Sequence, residues 1–441
     1  MKKEKVVIFW FRRDLRLYDN AGLHHALQSG FPVLPIFIFD ETILRQSDNR
    51  KDRRVNYFHQ ALQTINKTLK TQQSALCTFH GKPLEVFKML HGTYDVEAVF
   101  CNRDYEPAAI KRDTEIYTFF KARRIPFKAF KDQVIFDKSD ILKSDGTAYT
   151  VYSAYARRWR ERLQEKDYRP YPTGFKGFFP QSPSAIISLE KIGFEQTEMR
   201  FEKPVLDADI IDQYEKFRDY PALNGTTRLG IALRFGTISI RQCVAFAMMH
   251  SQTWLSELIW REFFMQILYH FPSVVHHSFK ANYDGIEWRN EESEFQKWCD
   301  GVTGYPIVDA GMRQLNETGF MHNRVRMVAA SFLCKHLLID WRWGEAWFAE
   351  KLNDYELSSN NGNWQWAAGS GCDAAPYFRI FNPATQAQKF DKNLEYVKRW
   401  IPEWGTQSYP PPMVAHSFAR ERALKAYGRA INSVTATTGK I

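Results

Sequence analysis

Residues 6–20 read VVIFWFRRDLRLYDN: six apolar residues in a row, then Arg12 and Arg13. The run is too short and too soon interrupted for a secretory leader or a membrane span, so it reads as a buried first strand. Further apolar runs follow at VLPIFIF (33–39), VEAVF (96–100) and the run ending in VIF (134–136), separated by helical stretches such as residues 57–69, YFHQALQTINKTL. Strands alternating with helices predict an α/β domain over residues 1–135, with a parallel, Rossmann-like sheet and crossover helices. No G-x-G-x-x-G follows these strands and no P-loop occurs, so a nucleotide, if bound, is held by other means.

From about 168 to 185 the chain is rich in Pro, Gly and Ser, which predicts a connector, placed over 136–200. Beyond 200 the period of two gives way to amphipathic helices such as WLSELIWREFFMQILYHF (254–271) and HNRVRMVAASFLCKHLLI (322–339), so residues 201–441 are expected to form an all-α domain. That half carries 11 of the 13 tryptophans, all but Trp10 and Trp159.

Lys plus Arg exceed Asp plus Glu by 60 to 50, a net charge of +10 that suits a polyanionic partner such as nucleic acid. The six cysteines are scattered without a Cys-x-x-Cys pair, and the histidines show no ligand spacing, so neither a metal site nor a disulfide framework is expected. A reducing, cytoplasmic setting is the simple expectation, and no segment has the ~18 uninterrupted apolar residues of a membrane helix.

Several helix faces mix chemistry with apolar groups. Trp254, Glu257, Leu258, Arg261 and Phe264 share one stripe, so Glu257 either pairs with Arg261 at i, i+4 on the surface or stands in a pocket where burial raises its pKa and suits it to proton donation. Asn323, Arg326, Met327 and Ala330 form a second stripe, consistent with the edge of a pocket. NGTTRLG (224–230) has the composition of a phosphate-binding loop, or of an ordinary helix cap. The tryptophans are core residues, stacking platforms for unpaired bases, or electron carriers; spacing alone does not choose.

FWFRRDLRLYDN (9–20), WLSELIWREFF (254–264), TGYPIVDAGMRQLNETGFMHNRVRM (303–327) and FDKNLEYVKRWIPE (390–403) together resemble the photolyase/cryptochrome flavoproteins over nearly the whole chain, most closely the class I cyclobutane pyrimidine dimer photolyases. The resemblance implies an α/β antenna domain and an all-α domain holding FAD, with the reduced, anionic cofactor active. It implies FAD contacts from Tyr214, Thr226, Thr227, Arg228, Leu229, Gly230, Trp254, Arg326, Asp354, Tyr355 and Glu356, and from Asn360 beside flavin N5. Glu257, Asn323 and Met327 would act on the dimer, Trp260 and Trp366 would pack against it, and Arg218, Arg324 and Gln386 would grip the strand. Trp364, Trp341 and Trp288 match the family's electron relay.

The implied partner is UV-damaged DNA containing pyrimidine dimers, and the implied reaction is light-driven dimer splitting by a monomeric protein. Gly230 stands where many relatives have Ser, and Asn363 replaces a small residue before Trp364. A second, antenna chromophore of folate or deazaflavin type is possible: Glu106 fits a folate pattern, whereas Val274–Val275 replaces a Cys–Lys pair of some folate binders. A cryptochrome photoreceptor without repair activity is the alternative. Repair of (6-4) photoproducts is disfavoured because His322–Asn323 stands in place of a His pair.

Overall fold

The computed structural model describes residues 3–46, 49–174 and 176–438, with side chains described up to residue 431. Phe175 of the expected connector, residues 1–2 and 47–48 of the expected α/β domain and residues 439–441 of the expected helical domain lie outside the described residues. The chain forms two compact units, one of Met1–Ile141, Trp159–Leu206 and Arg228–Met249, the other of Leu142–Arg158, Asp207–Thr227 and His250–Ile441. The stretch expected as connector contains the helix Tyr152–Arg162, so it is not a plain linker.

The first unit is built on a five-stranded parallel sheet: β1 (Lys5–Phe11), β2 (Val33–Asp40), β3 (Cys77–Gly81), β4 (Asp95–Asn102) and β5 (Phe127–Phe130), in the order β3-β2-β1-β4-β5. The uninterrupted apolar run of β1 follows from period two in a sheet covered on both sides. Val7, Phe9 and Phe11 enter one core with α1 (Ala21–Leu27) and α2 (Arg53–Lys70), while Val6, Ile8 and Trp10 enter the other with α3 (Pro83–Thr93) and α4 (Pro107–Lys121). Two strand expectations need correction. Residues 134–136 are buried but unladdered, and the fifth strand lies upstream at Phe127–Phe130. β3, CTFHG, is a half-exposed edge strand with no strong apolar run, which hid it from the sequence pattern.

The sheet order reverses between β1 and β4, the place where open α/β sheets commonly take ligands. Here the chain's own polar groups fill it. Asn102 Nδ2 donates to Asp14 Oδ2 (2.6 Å) and Asn20 Oδ1 (2.7 Å), and Arg241, at the start of α5 (Ile240–His250), donates to Asp19 Oδ1 (2.8 Å) and Asp132 Oδ1 (2.7 Å). Arg16 donates to Asp132 Oδ2 at 2.6 Å, so Asp19, Asp132, Arg16 and Arg241 meet opposite charges, while buried Asp14 is held by the Asn102 amide and the Arg12 backbone N–H.

The second unit is helical: α6 (Gln252–His270), α7 (Glu292–Asp300), α8 (Pro306–Thr318), α9 (Asn323–Ser331), α10 (Trp341–Lys351), α11 (Leu357–Ala368), α12 (Pro383–Phe390) and α13 (His416–Thr438). One apolar cluster joins five of them through Trp298, Leu315, Val328, Trp341, Phe348 and Trp364. Beyond α9 the backbone loosens into a π-helical turn, Phe332–Leu337, closed by Leu338 in the left-handed region. α11 ends at Gly369, whose φ of +92° suits glycine, as the Gly369 and Gly371 pair predicts.

Candidate functional site

In the helical unit a cavity of about 580 Å³, counting the space at its mouth, opens between α9, α10 and α11. Of the expected residues, Asn323, Arg326, Met327, Asp354, Tyr355, Glu356, Asn360, Trp364 and Trp366 line it. The helix period brings them together: Asn323, Arg326 and Met327 occupy one stripe of α9, and Asn360, Trp364 and Ala367 one stripe of α11. Asn323 Nδ2 rests 4.0 Å from Met327 Sδ, one turn apart. Ala330, on the same α9 stripe, also lines it as expected, while Phe348, Leu352, Ser359, Asn363 and Ala367 complete the wall and were not expected from sequence.

The polar groups of the wall are held from outside it. Arg326 donates to Asp354 Oδ2 at 2.9 Å and to the Met321 carbonyl at 2.7 Å. Arg261 reaches Glu356 Oε1 at 3.1 Å, not Glu257, so the i, i+4 surface pair within α6 does not form. Asn360 Nδ2 donates to Glu345 Oε1 at 2.7 Å and to the Glu345 carbonyl at 3.1 Å. Burial pushes the Glu345 carboxyl above the usual range, and the Asn360 hydrogen bond opposes the shift. Glu345 carried no sequence signal, since its contact joins α10 to α11 across fifteen residues.

Glu257 lies outside the cavity wall. Its Oε1 accepts from Arg218 Nη1 at 2.5 Å; burial pushes its carboxyl up while Arg218 pulls it down. Arg218, expected on the DNA strand, is thus committed to Glu257, and Arg324 is committed to Asp219 at 2.7 Å with its guanidinium 4.4 Å from the Phe390 ring. Tyr214 packs under the Arg218 guanidinium, 5.5 Å away. Trp260 is half-buried with one face covered by Tyr152, ring centroids 3.5 Å apart and planes 6° from parallel. Tyr152 was missed because its partner lies 108 residues along the chain. Trp254 is buried in the first turn of α6, and Gln386 stands on α12, neither in the cavity wall. Thr226 and Thr227 belong to the helical unit, whereas Arg228, Leu229 and Gly230 belong to the first unit. In that first unit Glu106 accepts from Arg13 Nη1 (2.9 Å) and Arg234 Nη1 (3.4 Å).

Of the three tryptophans expected as a relay, two are buried and one is half-buried. Trp364 (2% exposed) and Trp341 (1%) belong to the central cluster, and half-buried Trp288 packs against it and against Tyr427, ring centroids 5.9 Å apart. α10 approaches Trp364 at Gly344, where a Cβ would stand 2.1 Å from Cη2 of Trp364. Only glycine allows that contact.

The wall suits a large heteroaromatic ring with polar edges. It offers aromatic and apolar faces together with amide, carboxylate and guanidinium groups, and both Asp354 Oδ1 and Trp364 Nε1 are buried there without a protein partner. Buried polar atoms ordinarily find a partner, so these two point to a ligand with donor and acceptor edges. The donor set of Asn360, Asp354, Glu356 and Arg326 is of a kind that fits FAD.

Comparison with known proteins gives two family matches: "DNA photolyase" over residues 7–173 and "FAD binding domain of DNA photolyase" over residues 254–407. The chain is 36% identical to the deoxyribodipyrimidine photo-lyase of a Synechococcus species, covering 95% of this chain and 96% of that one. Its fold is similar to the crystal structure of a bacterial class III photolyase from Agrobacterium tumefaciens (TM-score 0.88, 34% identity, 98% of each chain). It is also similar to a Synechocystis cryptochrome (TM-score 0.83, 25% identity, 97% of this chain and all of that one). The chain therefore belongs to the photolyase/cryptochrome family.

Proposed function

We infer that the protein is a deoxyribodipyrimidine photo-lyase, a flavoprotein that uses light to split cyclobutane pyrimidine dimers in DNA. The observation that carries this reading is the cavity of the helical unit, where nine residues expected from the resemblance share one wall fitted to FAD. Reduced FAD supplies an electron when excited and recovers it once the cyclobutane ring has opened.

The chain's own residues prepare that exchange. Asn360 presents a neutral amide to the cavity, fixed by its two hydrogen bonds to Glu345, and so favours a reduced ring without adding a charge. Asn323 and Met327 form the rim, one polar and one soft apolar contact for a base that has left the duplex stack. Trp366 and half-buried Trp260 offer aromatic platforms for it. Glu257, with its carboxyl raised by burial, can hold a proton toward a dimer carbonyl where charge develops. When DNA binds, Arg218 and Arg324 would exchange Glu257 and Asp219 for phosphates, which position the strand without reading its sequence. A folate or deazaflavin antenna would meet Glu106 as a carboxylate whose Oε1 already accepts from Arg13 and Arg234.

Among the described residues no helix is long and apolar enough to cross a membrane. The test is to mix the reduced holoprotein with an oligonucleotide carrying one cyclobutane dimer, illuminate with blue or near-UV light, and count intact dimers. Loss of dimers is expected, and Glu257→Ala should lower the yield per photon while FAD content stays the same. Persistence of dimers while the bound flavin is photoreduced would favour the cryptochrome alternative.

A further inference from the structure

Trp260 and Trp366, read above as platforms for an extruded dimer, stand on different helices, α6 and α11. Both are half-buried, and a stacking platform serves best when its ring is already turned to receive the base, because ordering a side chain at the moment of binding costs affinity. The Tyr152 ring lies parallel to the Trp260 indole, centroids 3.5 Å apart and planes at 6°. Its Oη donates at 2.9 Å to the Ser256 carbonyl, the group that faces the Trp260 N–H one turn along an α-helix. Tyr152 therefore grips both the ring of Trp260 and the turn that bears it. Phe263 closes the group from the side, edge-on to Tyr152 at 5.8 Å and to Trp260 at 5.7 Å.

Tyr152 is itself anchored from the end of α11, within the same helical unit. It opens the helix Tyr152–Arg162, and its backbone N–H, one of the donors that a helix leaves unmet in its first turn, donates to Asp373 Oδ2 at 3.1 Å. The helix dipole favours a carboxylate at that end. Asp373 follows the turn that closes α11. In that turn the Gly369 N–H donates to the Gln365 and Trp366 carbonyls (2.9 and 3.2 Å) and the Gly371 N–H to the Gln365 carbonyl (3.0 Å). A Cβ on Gly371 would stand 3.2 Å from Trp366 N, so the turn lies against the backbone that carries Trp366. A second tie joins the helices directly: Phe264, 5.5 Å from the Trp260 ring, packs on Gly362 of α11, where a Cβ would stand 2.1 Å from Phe264 Cδ1.

We propose that Tyr152 and Asp373 are positioning residues for the dimer: a brace that runs from Trp260 through Tyr152 and Asp373 to the turn behind Trp366 and sets both rings before DNA arrives. The inference rests on the photo-lyase reading, in which those two tryptophans receive the lesion. The brace touches neither phosphate-binding arginine, Arg218 nor Arg324, whose partners are Glu257 and Asp219. Its loss should therefore be felt by the extruded dimer, which meets the rings, and not by an undamaged duplex, which is held through its phosphates.

The experiment measures binding in the dark by the FAD-loaded full chain to a duplex oligonucleotide carrying one cyclobutane thymine dimer and to the same duplex undamaged. Tyr152→Leu, which keeps apolar bulk and removes the ring, should weaken binding of the dimer duplex about tenfold and shift binding of the undamaged one by less than about twofold. Tyr152→Phe keeps the stack and should retain most of the affinity. In a Trp260→Ala background Tyr152→Leu should add little, because the brace acts through that ring. Asp373→Ala should weaken dimer binding about threefold, and it decides the matter if Tyr152→Leu fails to hold FAD. Unchanged dimer affinity in either variant, an equal loss on both duplexes, or tighter dimer binding in Tyr152→Leu, which would place the tyrosine ring where the lesion goes, would overturn the brace. A wild-type chain that binds both duplexes equally would instead count against the photo-lyase reading itself.

Discussion

Asn360 Nδ2 sits 2.7 Å from Glu345 Oε1, a contact that fixes a neutral amide of the α11 stripe from the neighbouring helix. Because that hydrogen bond orients Asn360, the two residues should act as one unit on the cofactor. Asn360→Ala and Glu345→Ala are each expected to shift the flavin midpoint potential in the same direction, and the double variant to shift it little further. Potentiometric titration of the three holoproteins checks this; additive shifts would mean that Glu345 does not act through Asn360.

The Arg218–Glu257 pair sets a pH limb. Burial raises the Glu257 carboxyl and Arg218 lowers it, so removing Arg218 should raise it further. If the protonated acid serves the lesion, repair falls as pH rises through that pKa, and Arg218→Gln moves the fall to higher pH. The check is repair yield against pH at saturating DNA; a fall displaced to lower pH would contradict the assignment.

Lys335 gives the helical unit an alkaline-side gain in stability. Its Nζ is buried, donates to the Ala368 carbonyl (2.9 Å) at the end of α11 and to the Tyr377 carbonyl (3.2 Å), and lies 3.9 Å from the Tyr427 ring centre. Burial nevertheless pulls the ammonium from 10.5 to about 7. Between those values the unfolded chain holds the proton that the folded chain has lost, so folding should become more favourable as pH rises through the window. Lys335→Met is expected to flatten that slope in thermal melts from pH 6.5 to 10.

Gly344→Ala should displace Trp364, since the added methyl would stand 2.1 Å from its ring. Overpacking of this kind costs about 1–3 kcal/mol. A lowered melting temperature together with slower light-driven flavin reduction is the expected signature. Unchanged melting and photoreduction would mean that α10 yields without moving the ring.

How much of this was legible beforehand varies with the range of the interaction. VVIFWF disclosed a strand buried on both faces because alternation along one strand is local, and the wall residues of α9 were legible because one helix period gathers them, whereas Asn360, Trp364 and Trp366 of α11 were implied only by the family resemblance. β3 was not, since a half-exposed edge strand needs no continuous apolar run. Residues 134–136 misled for the converse reason: a loop can bury Val134, Ile135 and Phe136 as completely as a strand does.

The sequence by itself determined the two textures of the chain, the α9 stripe that faces the cavity and the likeness to photolyases and cryptochromes, all of which rest on short-range periodicity or on long ordered motifs. Only the tertiary structure decided which charge meets which. Glu257 pairs with Arg218 and not with Arg261, Asn360 leans on Glu345, Tyr152 covers Trp260, and Trp298 rather than a neighbour in sequence touches Trp364. Such partners lie from fifteen to more than a hundred residues apart, and the packing of whole helices chooses them.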